Sequence, residues 1–166
     1  MNDYPLVLIA HNIRSTHNVG AIFRTAEGFG IKKIYLGGYT PYPATPQDLR
    51  LPHITEKITA QISKTALGAE ELVPFEAYRD IDGLLTSLKH GGYTIIGLEQ
   101  DEKSRPLQNF SPTGPTAILL GEEVAGIEPG LRAQCDSLLE IPMLGKKESF
   151  NVSVACGIAL YAFRTQ

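Results

Sequence analysis

Polar residues that could bind an anion or a nucleotide are concentrated in three short turns of this 166-residue chain. The first turn, NIRSTHNVGAIFR, carries Arg14, Asn18 and Arg24. Guanidinium groups pair with phosphate oxygens in a bidentate geometry, so this turn is a candidate anion site. The alternative is that Arg24, which lies off the apolar face of the predicted helix, is a solvated side chain paired loosely with Glu27.

The second turn, GEEVAG, directly follows the apolar run TAILL. Gly121 at the end of a strand would allow a ligand to approach the backbone closely. Glu122 and Glu123 could accept hydrogen bonds from ribose hydroxyls or from an amine. The alternative is the first turn of a helix, where acidic residues suit the helix dipole. The chain has neither GxGxxG after its first strand nor GxxxxGK[ST], so neither a Rossmann dinucleotide site nor a P-loop is supported.

The third turn, GKKESF, leads into a helix rich in apolar residues. Lys146 and Lys147 could face phosphate, while Ser149 and Asn151 offer hydroxyl and amide groups beside a helix N-terminus. The alternative is an exposed loop followed by a capped core helix. The predicted helix, residues 152–163, is apolar on nearly every side, which indicates more burial than a monomer provides. The sequence therefore predicts a subunit interface at this helix.

The elements that position these turns alternate between strands and helices. Apolar runs predict strands over residues 6–10, 32–36, 72–75, 93–98, 116–120 and 138–141. Apolar residues at helical spacing predict a first helix that is capped by Asn18, starts at Val19 and is followed by Gly30 as its C′ residue. Further helices are predicted over residues 53–67, 81–88, 129–134 and 152–163. Proline-containing loops are predicted over residues 39–52 and 99–115. Such alternation predicts an α/β fold, in which helices flank a parallel sheet on both faces.

The composition is that of an ordinary globular domain, with 43% apolar and 20% charged residues. No apolar run reaches the roughly 18–20 residues that span a bilayer, and the first apolar run is too short for a signal peptide. The sequence therefore predicts a cytoplasmic protein with no membrane association. The net charge of −3 argues against a broad nucleic-acid surface, although a local basic site is still compatible with it. Cys135 and Cys156 lack zinc-ligand spacing, so we expect reduced cysteines and no metal site.

Together the three turns resemble the motifs of the SpoU, or TrmH-like, RNA 2′-O-ribose methyltransferases of the SPOUT superfamily. The matching segments are NIRSTHNVGAIFRTAEGFG, LLGEEVAGI and IPMLGKKESFNVSVACGIALY, in that order. The resemblance covers essentially the whole chain and implies one SPOUT methyltransferase domain over residues 1–166. It also implies an α/β-knot, in which a mostly parallel sheet is flanked by helices and the C-terminal segment is threaded through a loop as a trefoil. Such knots are rare exceptions to the usual rules of chain connection.

The resemblance implies that the chain binds S-adenosylmethionine and transfers its methyl group to a ribose 2′-OH of RNA. The cofactor would contact Leu119, Gly121, Ile141, Met143, Phe150 and Asn151, where Phe150 replaces the leucine of many family members. The implied catalytic residues are Arg24, Asn18, Glu123, Ser149 and Asn151. The residues expected to bind RNA are Arg14, Arg24, Lys146 and Lys147. The family works as a homodimer, in agreement with the unusually apolar last helix.

The sequence leaves the role of Arg24 and the identity of the substrate open. A guanidinium with a pKa above about 12 is a poor proton acceptor, so the favoured role is to bind the adjacent RNA phosphate and stabilise alkoxide charge. The alternative role is that of general base. We favour tRNA as the substrate, with rRNA as the alternative. Two further alternatives are a non-catalytic module that binds S-adenosylmethionine or RNA, and a SPOUT enzyme that methylates a base.

Overall fold

A computed structural model describes residues 3–165 of the chain. Its strands are β1 (Leu6–His11), β2 (Lys33–Gly37), β3 (Phe75–Tyr78), β4 (Thr94–Leu98), β5 (Arg105–Pro106), β6 (Thr116–Leu120) and β7 (Ser137–Glu140). Its α-helices are α1 (Thr16–Gly28), α2 (Pro52–Ala66), α3 (Ala69–Leu72), α4 (Ile81–His90), α5 (Pro129–Arg132) and α6 (Val152–Thr165), and a 3-10 turn spans Leu107–Asn109. Within residues 3–165, no helix combines the length and the apolar character that crossing a membrane requires.

The seven strands form one sheet in the order β3-β2-β1-β6-β4-β7-β5, and all its strand pairs are parallel. At its centre, Leu8 of β1 pairs with Ile34 on one side and with Ile118 on the other. Because parallel strands all run the same way, the loops after β1, β4, β6 and β7 leave from one edge of the sheet. Ligands of open α/β sheets bind at this carboxyl edge. The predicted α/β architecture is confirmed, whereas the trefoil knot stays a prediction.

The apolar core lies in two layers, one on each face of the sheet. In β1, Leu6 and Leu8 face the layer that contains α1, α2 and α6, whereas Val7 and Ile9 face the layer that contains α4 and α5. This alternation follows from the two-residue period of a strand. A strand covered on both faces needs apolar residues at every position, which explains the continuous run LVLIA.

The third strand differs from the sequence prediction. A strand was expected over residues 72–75, but Ala69–Leu72 forms the short helix α3 and the strand is Phe75–Tyr78. β3 lies at the edge of the sheet, and its two central residues are exposed. An edge strand of this kind carries no apolar run that would mark it. The neighbouring apolar residues were therefore predicted as the strand instead.

Two smaller predictions are also corrected. The loop expected over residues 99–115 contains the short strand β5 and the 3-10 turn. Helix α1 begins one turn earlier than expected, because Ser15 is its N-cap and accepts a hydrogen bond from the Asn18 backbone N–H at 3.2 Å. The Asn18 side chain is therefore not a cap and is available for other contacts. The end of α1 agrees with the prediction, since Gly30 follows it with φ +62°.

Helices α1 and α2 cross at Gly20, and this close approach gives a testable prediction. A Cβ on Gly20 would collide with the Ile62 carbonyl oxygen and with Thr65 Oγ1. We therefore expect Gly20→Ala to lower the free energy of unfolding by about 1–3 kcal/mol in urea denaturation, despite the better helix propensity of alanine. Gly28→Ala is the matched control in the same helix, because no atom lies within 4 Å of a Cβ there. Equal effects of the two substitutions would contradict the packing argument.

Candidate active site

An open cavity of about 340 Å³ lies at the carboxyl edge of the sheet. Its walls come from the chain segments that follow β4, β6 and β7. The lining residues are Leu98–Gln100, Leu120–Gly126, Glu140, Ile141, Glu148–Val152 and Ala155. The second and third polar turns therefore share one cavity, of the size that small-molecule ligands occupy.

Most of the residues predicted to bind the cofactor line this cavity. They are Gly121, Ile141, Phe150 and Asn151. Leu119 does not, because its side chain is fully buried in the core layer that contains α4. Met143 is half-buried in the loop after β7 and lies outside the lining. Leu119 could therefore contact a ligand in the cavity only through its backbone, and the role of Met143 stays a prediction.

The Glu123 carboxylate joins the second turn to the first. Its oxygens accept hydrogen bonds from the backbone N–H groups of Arg14 at 3.2 Å and Ser15 at 3.4 Å, and from Asn18 Nδ2 at 3.1 Å. Burial opposes ionisation of Glu123, but hydrogen bonds from its own backbone, Asn18, Arg14 and Ser15 outweigh burial and lower its pKa. Glu123 is therefore a hydrogen-bond acceptor at neutral pH rather than a proton donor.

Asn18 and Asn151 extend this network to the third turn. Asn151 Nδ2 donates to Asn18 Oδ1 at 3.1 Å, across 133 residues of sequence. Asn151 Oδ1 accepts from the Ser153 backbone N–H at 2.9 Å and from Ser153 Oγ at 2.7 Å, so Asn151 caps α6. Because an ionised Glu123 only accepts hydrogen bonds, Asn18 must direct its amide nitrogen to Glu123 and its oxygen to Asn151. The three polar turns are thus held in one geometry.

Ser149 and Arg24 lie outside this network. Ser149 lines the cavity, and within residues 3–165 its hydroxyl makes no hydrogen bond, so it is available to a ligand. Arg24 is exposed on α1 and does not line the cavity of its own chain. In the described part of the chain Arg24 forms no ion pair, so the loose pairing with Glu27 considered from the sequence is not formed.

The other predicted RNA-binding residues lie on the surface. The Arg14 side chain is 72% exposed, pairs with Glu122 at 3.2 Å and lies over the Tyr39 ring. Lys146 and Lys147 are exposed in the third turn. The structure therefore places Arg14 beside the Glu122–Glu123 turn and the two lysines in the loop that contributes Ser149 to the cavity.

The sequence did not predict two further carboxylates, Glu99 and Glu128, that bond at or next to the end of the second turn. Glu99 follows β4 and accepts a hydrogen bond from the Ile127 backbone N–H at 2.6 Å. Glu128 accepts from Asn12 Nδ2 at 3.0 Å. Only their positions in the sequence could have indicated a role in the site. Asn12 and Glu99 each directly follow a strand, and the carboxyl ends of these strands meet at the site.

Neither cysteine is a candidate nucleophile. Burial raises the pKa of Cys135 to about 11 and that of Cys156 to about 12, so both thiols stay protonated at neutral pH. Among residues 3–165, no group of three or more His, Cys, Asp or Glu side chains could hold a metal ion.

His11 makes the stability of this edge sensitive to pH. Its Nδ1 is buried without a hydrogen-bond partner in the described residues, and burial lowers the pKa of His11 although Glu128 lies 3.7 Å away. A lowered folded-state pKa means that protonation favours the unfolded chain. Stability is therefore full above the unfolded-state pKa of about 6.5 and is lost as the pH falls through the folded-state value.

We expect His11→Gln to remove part of the loss of unfolding free energy between pH 7.5 and pH 5, measured by urea denaturation. The matched control is His90→Gln, because His90 is exposed at the end of α4. If both variants kept the wild-type pH dependence, the assignment to His11 would be wrong.

A profile of the SpoU rRNA methylase family matches residues 5–161. The protein of Coxiella burnetii named 23S rRNA (guanosine-2′-O-)-methyltransferase RlmB is 34% identical over 161 residues, which cover 97% of this chain and 58% of that protein. The protein of the same name from Acinetobacter baylyi is 34% identical over 161 residues, covering 96% and 59%. The chain therefore spans about three fifths of the length of these curated relatives.

Solved structures share the fold. The enzyme described as A. aeolicus TrmH/SpoU tRNA modifying enzyme superposes with a TM-score of 0.79 at 25% identity, over 97% of this chain and 74% of that one. The AdoMet-bound rRNA methyltransferase from Sinorhizobium meliloti superposes with a TM-score of 0.80 at 22% identity, over 95% and 55%. At that lower identity the likeness shows the fold alone.

Proposed function

This chain belongs to the SpoU rRNA methylase family, and on that premise we propose that it transfers a methyl group from S-adenosylmethionine to a ribose 2′-OH of RNA. The observation that carries the proposal is the network from Glu123 through Asn18 to Asn151, which joins all three family motifs beside one cavity. A single methyltransferase domain accounts for the matched residues. The curated relatives are named for a 2′-O-methyl transfer of the same kind.

The cavity suits S-adenosylmethionine in size and lining. Ile141 and Phe150 offer apolar surface to an adenosine, and the backbone of the second turn, from Gly121 to Gly126, forms one wall of the cavity. Ser149 adds a hydroxyl without a protein partner in the described residues. When bound, the cofactor supplies a methyl group on a positively charged sulfur.

The residues of the chain then serve alignment and charge stabilisation. With the cofactor bound, its methyl group would pass to the ribose 2′ oxygen, the electron pair of the carbon–sulfur bond would stay on sulfur, and the hydroxyl proton would be lost to solvent or to a base. Such a displacement depends on the alignment of donor and acceptor. Glu123 and Asn18 hold the turns in place, and Arg24, exposed and without an ion pair in residues 3–165, binds the adjacent phosphate and stabilises alkoxide charge.

We propose that the enzyme is a homodimer whose active site takes residues from both copies. One stripe of α6 and the residue before its cap is apolar and exposed, with Phe150 at 40%, Val154 at 49% and Tyr161 at 62%. Exposed aromatic and branched side chains in one stripe are typical of an interface. Arg24 follows Asn18 by six residues, about 9 Å along the helix axis, and does not line its own cavity, so a second copy supplies it.

A mixing experiment tests the shared site. Arg24→Ala loses the arginine and Asn151→Ala loses a cavity residue, so each homodimer is expected to be inactive. Mixed dimers contain one complete site if Arg24 acts on the partner's cavity, and random exchange of subunits then restores about a quarter of the wild-type rate. The rate is measured by methyl incorporation after refolding the two variants together. No restored activity would contradict a shared site.

Ribosomal RNA is the proposed substrate, in place of the tRNA preferred from the sequence. The curated relatives at 34% identity are named for 23S rRNA guanosine, and this outweighs the likeness at 25% identity to a tRNA-modifying enzyme. The experiment is mass spectrometry of nucleosides from the rRNA and tRNA of cells that lack this protein. We expect one 2′-O-methyl nucleoside to be lost from rRNA. Unchanged nucleosides in both RNA classes would contradict the proposed function, and a lost methylated base would favour the base-methylating alternative.

A further inference from the structure

We propose that Glu99 is a positioning residue for the cofactor cavity, because its carboxylate fixes the backbone of the second turn where that turn forms the cavity wall. This inference rests on the proposed function, since the cavity is taken to hold S-adenosylmethionine. It assigns a role in cofactor affinity to a residue outside the three motifs that define the site.

Both backbone polar groups of Glu99 are hydrogen-bonded, one to strand β7 and the other to the loop before β5. Its backbone N–H donates to the Leu139 carbonyl oxygen at 2.9 Å, and its own carbonyl oxygen accepts from Ser104 Oγ at 2.7 Å. From this fixed position, Oε2 accepts from the Ile127 backbone N–H at 2.6 Å and Oε1 accepts from the Gln100 backbone N–H at 2.9 Å. The carboxylate thus ties the end of the second turn to the end of β4.

The second turn is shaped to receive this carboxylate. Gly126 has φ +71°, and a Cβ there would collide with Glu99 Oε2. The backbone of Gly126 in turn lies so close to Gly121 that a Cβ on Gly121 would collide with it. Glycine at both positions therefore lets the Glu99 carboxylate pack against Gly126, and the Gly126 backbone pack against Gly121. This explains why the turn begins and ends with glycine.

Glu99 differs from the other carboxylates that hold this segment. Glu123 bonds to the first turn and Glu128 bonds to Asn12, so both fix the segment against β1 and α1. Glu99 holds it from the side of β4, and it also lines the cavity together with Gly126. Loss of the Glu99 carboxylate would release the cavity wall while the network from Glu123 to Asn151 stayed intact. The expected defect is therefore in cofactor binding and not in methyl transfer.

Isothermal titration of S-adenosylmethionine into the full chain tests this role. We expect Glu99→Ala to weaken binding by about 10- to 100-fold, as for the loss of hydrogen bonds to a charged group. The Glu99→Gln side chain can accept from only one of the two backbone N–H groups. Its affinity for S-adenosylmethionine is therefore expected to lie between those of the wild type and Glu99→Ala. The control is Glu102→Ala, because Glu102 is exposed in the same loop and makes no hydrogen bond within residues 3–165. Wild-type affinity in Glu99→Ala would overturn the proposal.

A second ligand separates positioning from direct contact with the cofactor. The carboxylate of Glu99 could instead bind the amino group of the methionine portion. Replacement would then weaken S-adenosylmethionine but not 5′-methylthioadenosine, which lacks that portion. Positioning of the wall predicts that Glu99→Ala weakens both ligands by similar factors. A loss confined to S-adenosylmethionine would overturn the positioning role.

Two readouts exclude a general loss of structure. At saturating S-adenosylmethionine, Glu99→Ala is expected to keep the wild-type kcat while its KM for the cofactor rises. Hydrogen exchange of the Ile127 amide is expected to accelerate, while the amides of Arg14 and Ser15 keep their wild-type rates. If Glu99→Ala does not fold, the same measurements on Glu99→Gln test the positioning role of Glu99. If the wild-type chain binds neither ligand, the proposed function itself fails, and this inference fails with it.

Discussion

Replacing Arg24 with alanine is expected to lower the rate of methyl transfer by at least about 100-fold, as for the loss of a group that stabilises developing charge. Affinity for S-adenosylmethionine is expected to stay within about twofold of the wild-type value, because Arg24 does not line the cavity of its own chain and is assigned to the RNA phosphate at the partner's cavity. The two quantities are measured separately, by single-turnover methyl incorporation and by isothermal titration.

A conservative replacement and a distant arginine sharpen this test. Arg24→Lys keeps the charge and is expected to retain part of the activity if Arg24 binds phosphate and stabilises the alkoxide. Arg79→Ala is the matched control, because Arg79 is exposed after the edge strand β3. Loss of S-adenosylmethionine binding in Arg24→Ala would contradict the placement of Arg24 on the RNA side of the site.

Replacing Gly121 with alanine is expected to lower the affinity for S-adenosylmethionine by about 100-fold, because the added Cβ must displace the backbone that forms the cavity wall. A Cβ on Gly121 would collide with backbone atoms of Gly126 and Ile127. These atoms cannot move independently, because Gly126 exchanges backbone hydrogen bonds with Glu122 at 2.9 and 3.1 Å. The measurement is isothermal titration with the cofactor.

Gly114 provides the control for this substitution. It lies just before β6, at the opposite end of the strand that leads to Gly121, and no atom lies within 4 Å of a Cβ there. Gly114→Ala is expected to bind S-adenosylmethionine as the wild type does. If Gly121→Ala also bound normally while remaining folded, the cavity would not be the cofactor site.

The elements with the strongest sequence patterns were predicted correctly. The buried run of β1 and the apolar face of α1, from Val19 to Ala26, are found where the sequence indicates them. Failures occurred where local patterns are weak or compete. β3 is an edge strand without an apolar run, and at α1 both Ser15 and Asn18 are capable N-caps. Only the fold showed that Ser15 caps the helix while Asn18 reaches Glu123.

The contacts within the site depend on folding over long sequence distances. Asn18 meets Glu123 and Asn151 across 105 and 133 residues, and no local pattern predicts such pairs. The family resemblance named these residues as a group, and the structure supplies the chain of hydrogen bonds. Glu99 was missed because its role depends on a backbone amide 28 residues away. A carboxylate bonded to backbone leaves no signature in the residue types around it.

The most direct test of the central claim is methyl transfer by the purified chain. S-adenosylmethionine with a deuterated methyl group is incubated with rRNA that lacks the modification, and the nucleosides are then separated by mass spectrometry. The proposed function predicts a nucleoside whose deuterated methyl group stays with the ribose fragment, and predicts its absence with Arg24→Ala. A label on the base fragment, or no labelled nucleoside from either rRNA or tRNA, would contradict the assignment as an RNA 2′-O-ribose methyltransferase.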